Sequence, residues 1–143
     1  MDPELKTIPV GESELLRDGD DALVVAVGSI VHPALEAAAE LASEGISVAV
    51  VNARFVKPLD GDRIVPLARR CAVVLTVEEH GGPGGFGSAL LEVLAAARVT
   101  VPTHCLALPD RILEHGESLA GHGLDNIGIA RAVRTLLGRP EPS

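Results

Sequence analysis

The chain has 143 residues, 47% of them hydrophobic, and a formal charge of −8. That length suits one domain with a proper core, and that apolar content excludes disorder. An acidic balance with no Trp or Tyr excludes a nucleic-acid binder, which needs a basic surface and stacking platforms.

Phe55 and Phe86 are the only aromatic residues, so the core must be built from Val, Leu, Ile and Ala. Such a core suits a parallel sheet covered by helices. No apolar run reaches the length of a membrane span. The first residues, MDPEL, are acidic, unlike a basic-then-apolar signal peptide. Cys71 and Cys105 lie in apolar segments without CxxC spacing and read as buried reduced thiols. The expected setting is therefore cytoplasmic, without membrane or nucleic-acid partners.

In chain order, residues 1–7 read as a polar tail. Residues 8–16 hold Pro9 and Gly11 and suit an edge strand, where a missing ladder donor is tolerated. Asp18, Gly19, Asp20 and Asp21 form a turn cluster. The continuous apolar run 22–27 is a buried strand. Ser29 is the expected N-cap of the next helix, with Pro33 in its first turn. Val31, Ala34, Leu35, Ala38, Leu41 and Ala42 make the inward stripe of that helix, and Gly45 ends it. Residues 46–51 form a second strand, parallel to the first through a right-handed crossover.

Asp60 is placed to cap a helix through Arg70, which Pro66 should shorten or bend. A third strand is expected over residues 72–77. After a glycine-rich loop, Phe86, Ala89, Leu90, Val93, Leu94 and Ala97 form the cleanest helical stripe in the chain. Leu91 and Ala95 add a second apolar face, as on a helix covered from two sides. A fourth run, 103–108, stops at Pro109. Residues 110–123 are irregular, and Asp125 caps a last helix that Gly138 and Pro140 end. The pattern predicts one doubly wound α/β domain over residues 8–138, with flexible tails at 1–7 and 139–143.

The segment 73–88, VVLTVEEHGGPGGFGS, concentrates the chemistry: a strand, two carboxylates, an imidazole and five glycines before a helix. Ligands collect at this end of strands in open α/β sheets. Gly82, Gly84 and Gly87 match GxGxxG. Four residues separate the motif from the apolar strand, it follows the third strand–helix unit rather than the first, and Glu78 and Glu79 would repel a pyrophosphate. The motif therefore reads as a loop that lets a helix approach a partner closely. Glu78 and Glu79 are strand neighbours and point to opposite faces. One is left to cap a helix or bind a backbone N–H, the other to meet solvent. His80 reads as solvated surface. His80, His104, His115 and His122 match no zinc spacing, and Glu114-His115 is a sequence neighbour pair that carries no catalysis by itself. Ser29 and Ser88 lack a nucleophile elbow. Arg54 and Lys57 are expected in salt bridges to Glu78, Glu79 or Asp60. No catalytic, cofactor-binding or metal residue is assigned.

Six stretches carry a resemblance: VNARFVKPLD (51–60), LTVEE (75–79), GGFGSA (84–89), LPDR (108–111), EHG (114–116) and GLD (123–125). Together they closely resemble the C-terminal domain of the 1-deoxy-D-xylulose-5-phosphate synthases, in the transketolase superfamily. The first three also suit the beta subunits of 2-oxo-acid dehydrogenases, the alternative family. A free-standing anion- or nucleotide-binding module is the non-enzyme alternative. The synthase resemblance implies a three-layer α/β/α fold with a mixed five-stranded sheet, mostly parallel, whose first strand is an antiparallel edge. It implies a full-length transferase that condenses pyruvate with glyceraldehyde 3-phosphate, using thiamine diphosphate and Mg²⁺ held by two preceding domains. It implies a homodimer in which this part is inert by itself and serves packing and dimer contact. Glu78, Glu79, His80, Gly84, Gly85 and Phe86 are the candidate contact residues. HGGP at 80–83 and Pro66 depart from the family's expected pattern.

Overall fold

The structure is a computed structural model that describes residues 7–141. The expected tail at 1–7 lies, but for Thr7, outside the described residues, as do residues 142–143 of the expected C-terminal tail. Among the described residues there are five strands and four α-helices: two strands come first, and helices and strands then alternate. They are β1 (Glu14–Arg17), β2 (Ala22–Ala26), α1 (Val31–Ser43), β3 (Val48–Asn52), α2 (Gly61–Arg70), β4 (Val73–Gly81), α3 (Phe86–Ala96), β5 (Thr103–Leu108) and α4 (Asn126–Leu136). Short 3₁₀ turns precede α1 and α4.

The sheet order is β1-β3-β2-β4-β5. β1 runs antiparallel to β3, and every other pair is parallel. The expected mixed sheet with an antiparallel first edge is thus observed. β2 sits at its centre, with Ala22 level with both Val48 and Val73, and is buried along its whole length. Apolar side chains alternate between the faces because strand periodicity is two. Val24, Val50 and Leu75 join the core beneath α1 and α4, while Leu23, Val51 and Val74 join the core beneath α2 and α3. The three-layer arrangement follows. Phe86, at 2% exposure, is the one aromatic side chain buried in these cores.

Several local expectations hold for local reasons. Gly45 adopts φ +78° after α1, the left-handed region that suits a helix end. Asp60 accepts the Arg63 N–H, and Asp125 accepts the Gly128 N–H, so both cap their helices. Pro66 lies inside the ten-residue α2. Pro66 and Asp62, four residues before it, are both exposed, so the carbonyl that loses its donor faces water. Other expectations are corrected. The first strand begins at Glu14, after a turn in which Gly11 has φ +82°. β4 runs four residues past Val77, because β5 continues beside it and Gly81 pairs with Leu108 after a register shift. Glu78, Glu79 and His80 are therefore strand residues. On α3, Leu90 and Leu94 face the sheet, and the second apolar face, expected against something else, holds Leu91 at 44% exposure and the exposed Ala95 in the single chain, which leaves that expectation open. No helix of the described residues is long and apolar enough to cross a membrane.

Candidate functional site

β2 leads through α1, on one face of the sheet, to β3, and β4 leads through α3, on the other face, to β5, so the connections diverge between β2 and β4. A cleft of about 420 Å³ opens there, outside the carboxyl ends of both strands. All six candidate residues, Glu78, Glu79, His80, Gly84, Gly85 and Phe86, line it, with Val27, Gly28 and Val56 completing the wall.

The strand pleat separates the two glutamates. Glu78 turns inward and is 1% exposed. Its Oε2 accepts the Phe86 N–H at 2.7 Å and its Oε1 accepts the Gly87 N–H at 2.8 Å. Both donors belong to the first turn of α3, whose free N–H groups and dipole favour an anion. A carboxylate of the chain itself thus occupies the place where a bound phosphate would sit. Glycines make room for it. A Cβ on Gly85 would lie 2.4 Å from Glu78 Oε2 and 2.6 Å from the Gly81 carbonyl oxygen. A Cβ on Gly87 would lie 2.6 Å from Cys105 Sγ and 2.7 Å from Thr76 Oγ1. Gly85 and Gly87 therefore keep the strand–helix junction close, whereas at Gly82 and Gly84 of the GxGxxG spacing a Cβ would meet nothing nearer than 3.6 Å. Thr76 Oγ1, beneath Gly87, is a buried hydroxyl with no hydrogen-bond partner among the described residues.

Glu79 faces the cleft mouth and accepts the Ser29 Oγ–H, with both carboxylate oxygens 2.7 Å from it. Ser29 consequently makes no side-chain cap on the helix that follows it, which corrects the expected N-cap. His80 is exposed, its Nδ1 3.4 Å from the Gly81 carbonyl. The loop is braced by Ser88, whose Oγ accepts the Gly84 N–H and donates to the Gly82 carbonyl.

The expected ion pairs of Arg54 are corrected. Arg54 bonds Glu14 on β1, which β1–β3 pairing sets beside Asn52, two residues before Arg54. Lys57 is exposed. Asp60 accepts from the Ser13 N–H and Oγ–H, both at 2.8 Å, and pairs with Arg63. Burial opposes its charge, yet these bonds outweigh burial and hold its carboxyl below the usual range. The histidines do not converge: among the described residues no group of three or more His, Cys, Asp or Glu side chains could hold a metal. Cys71 is buried, which pushes its thiol pKa up, whereas Cys105 is only half-buried.

The sequence reading missed Glu117. Arg111 binds it through both Nη atoms at 2.8 Å, the Glu114 N–H bonds it at 2.9 Å, and His122 Nε2 lies 2.8 Å away. Led by the Arg111 bonds, these contacts lower its carboxyl pKa to about 2. Glu117 ties the irregular segment after β5 into one loop, and an acid between an Arg and a His was its available signal. Arg134 was missed as well. It is 2% exposed and binds Glu40 and Glu44, each at 2.6 Å, clamping α4 to α1. It also reaches Glu141 at 3.4 Å.

The family model for the transketolase C-terminal domain matches residues 11–129. The chain belongs to the transketolase C-terminal domain family. It matches the C-terminal region of 1-deoxy-D-xylulose-5-phosphate synthases. It is 47% identical to the synthase 1 of Geobacter sulfurreducens, an alignment that covers 100% of this chain and 24% of that protein. It is 51% identical to the synthase of Synechococcus sp. (strain JA-3-3Ab), over 89% of this chain and 20% of that one. The chain therefore spans about a quarter or less of the length of these curated relatives. A solved structure described as a split gene transketolase, inactive beta4 tetramer, superposes with a TM-score of 0.84 at 34% identity. The superposition covers 99% of this chain and 46% of that one.

Transketolase-type chemistry implies thiamine diphosphate, and the cleft of this transketolase C-terminal domain does not suit it. The N–H groups of α3 that would cradle a diphosphate are taken by Glu78, and Glu79 adds a second acid at the mouth.

Proposed function

We propose that this chain is the assembly domain of a 1-deoxy-D-xylulose-5-phosphate synthase. In that reading the full enzyme is a cytoplasmic, homodimeric transferase. It condenses pyruvate with glyceraldehyde 3-phosphate, with loss of carbon dioxide, toward isoprenoid, thiamine and pyridoxal precursors. Thiamine diphosphate and Mg²⁺ belong to the two preceding domains, and this domain holds no catalytic group. Its task is to dock against those domains and a second subunit through the carboxyl edge of its sheet, where Glu79, His80, Gly84 and Gly85 are offered, while Glu78 and Phe86, expected as contacts, are buried and shape the edge from beneath.

One observation carries the reading: the anion site at the start of α3 is filled from within by Glu78. A helix terminus satisfied in this way binds no phosphate. What the edge still offers is a shaped surface with the apolar walls of Val27 and Val56. The tetrameric assembly described for the split gene transketolase supports a role in association.

The test uses the full enzyme that carries this domain. Excision of residues 8–138 is expected to abolish both subunit association in sedimentation and carbon dioxide release dependent on glyceraldehyde 3-phosphate. Calorimetric titration of this chain with thiamine diphosphate and Mg²⁺ is expected to show no saturable heat. Full activity after excision, or saturable cofactor binding by this chain, overturns the proposal.

A further inference from the structure

The two edges of the sheet are built differently. β1 is four residues long, carries Glu14 and Arg17, and has a register irregularity between Leu15 and Arg17. Shortness, charge and irregularity keep an edge strand from pairing with another chain. β5 has neither charge nor irregularity. Its sequence is THCLAL, and no Asp, Glu, Lys or Arg occurs between Arg98 and Asp110. The register shift in the β4–β5 ladder lies on β4: Val77 to Gly81 spans the same ladder as Leu106 to Leu108. β5 itself stays regular.

Its outer edge is open. Val74 N–H donates to the Pro102 carbonyl and Gly82 N–H to the Leu108 carbonyl, so the even-numbered residues of β5 turn their backbone toward β4. The N–H and C=O groups of Thr103, Cys105 and Ala107 point the other way, where β5 has no neighbouring strand among the described residues. Grooves of about 430 Å³ and 420 Å³ flank the strand on its α3 and α4 sides. Leu91 and Ala95 line the first, and Leu106, Ala132 and Leu136 line the second.

We infer that β5 is a self-pairing edge: a second copy of this chain adds its own β5 antiparallel to it, about a two-fold axis at Cys105. The inference rests on the assembly role proposed above and adds to the carboxyl edge a second surface, through which two copies of this domain meet. In an antiparallel ladder, facing residues exchange both backbone bonds. A register centred on Cys105 satisfies all three outward residues at once. Thr103 lies opposite the second copy's Ala107, and Cys105 opposite the second copy's Cys105. The axis stands perpendicular to the sheet, so α3 of each copy lies on the same side and the exposed Leu91 side chains close the groove between them. An isologous contact of this kind is self-complementary. Each copy carries a formal charge of −8, yet the strands meet along a run without charge. Such a seam lets a second copy approach where the rest of the surface repels it.

Sedimentation across a concentration series, with amide hydrogen exchange read by NMR, tests the inference. The chain is expected to dimerise, and the Cys105 and Ala107 amides to exchange more slowly as concentration rises. The double variant Thr103→Lys/Ala107→Lys sets like charges opposite each other across the axis. It should raise the dissociation constant by about tenfold or more. Thr103→Lys/Ala107→Glu places opposite charges across the same axis and should restore association. Leu91→Glu, on α3 and off the strand, should weaken it independently. Circular dichroism confirms that each variant is folded. Exchange at Cys105 and Ala107 that ignores concentration, or a dimer that both double variants leave unchanged, overturns the edge while leaving the assembly role intact. A strict monomer likewise overturns the edge, while the assembly role stands or falls with the excision experiment on the full enzyme.

Discussion

Replacement of Glu78 tests the central junction of the fold. Its carboxylate bridges the Phe86 and Gly87 N–H groups at 2.7 and 2.8 Å, at 1% exposure. Hydrogen bonds to a charged acceptor contribute about 1.5–3 kcal/mol each, and a buried donor left without a partner costs about 1–3 kcal/mol. In Glu78→Gln one oxygen still accepts, while the amide NH₂ confronts the second N–H. The expected loss is about 2–4 kcal/mol from one broken charged bond and one orphaned donor. Glu78→Ala should lose about 3–5 kcal/mol, since both donors are orphaned and a cavity opens. Glu79→Gln is the control. Glu79 is only half-buried and bonds one hydroxyl, so its loss should stay below about 1 kcal/mol. Urea unfolding followed by circular dichroism gives these differences at constant m-value. Glu78→Ala also vacates the helix terminus, so inorganic phosphate should raise its midpoint and leave the wild-type midpoint unchanged. Equal effects of Glu78→Gln and Glu79→Gln, within about 0.5 kcal/mol, would refute the argument that the α3 terminus is satisfied from within.

Gly87→Ala should destabilise by about 1–3 kcal/mol in the same unfolding assay, because overpacking forces a well-packed junction apart. Its Cβ would meet Cys105 and Thr76 at 2.6 and 2.7 Å, whereas Gly81, where a Cβ would meet nothing within 4 Å, is the neutral control. Arg134→Met breaks the α1–α4 clamp and should cost about 2 kcal/mol. Its partners Glu40 and Glu44 are 41% and 26% exposed, so they rehydrate, and a larger loss would argue for packing instead. Glu117 carries a pKa lowered to about 2, and Asp60 and Glu44 are also lowered. A depressed carboxyl stabilises the fold above its unfolded value, near 4.3 for a free Glu, and that stability is lost as pH falls through the folded value. Unfolding midpoints should therefore be flat above about pH 5 and decline toward pH 2. In Glu117→Gln the decline should be shallower, and identical acid profiles would rule out Glu117 as a contributor.

The local parts of this protein were legible in its residues. The run at 22–27 became β2, 103–108 became β5, and the caps at Asp60 and Asp125 form because each bonds an N–H three residues away. Caps and strand periodicity depend on near neighbours, which one sequence displays. Ser29 failed as a cap for the opposite reason: its partner Glu79 lies fifty residues away. Arg54 likewise chose Glu14 on β1, a pairing that exists only once β1 lies beside β3.

By itself the sequence determined the α/β class, the Val- and Ala-rich core and the strand–loop–helix junction at 73–88. Each follows from composition, periodicity and glycine placement. Which of two adjacent glutamates would fill the start of α3, and which would meet Ser29, was decided only by tertiary structure. The pleat assigns the two to opposite faces, but only the packing of α3 on β4 says which face is buried. Likewise, β5 reads as an ordinary strand until the sheet order leaves it at an edge. Its outward N–H and C=O groups acquire meaning there, because an unpaired backbone is a property of neighbours and not of residues.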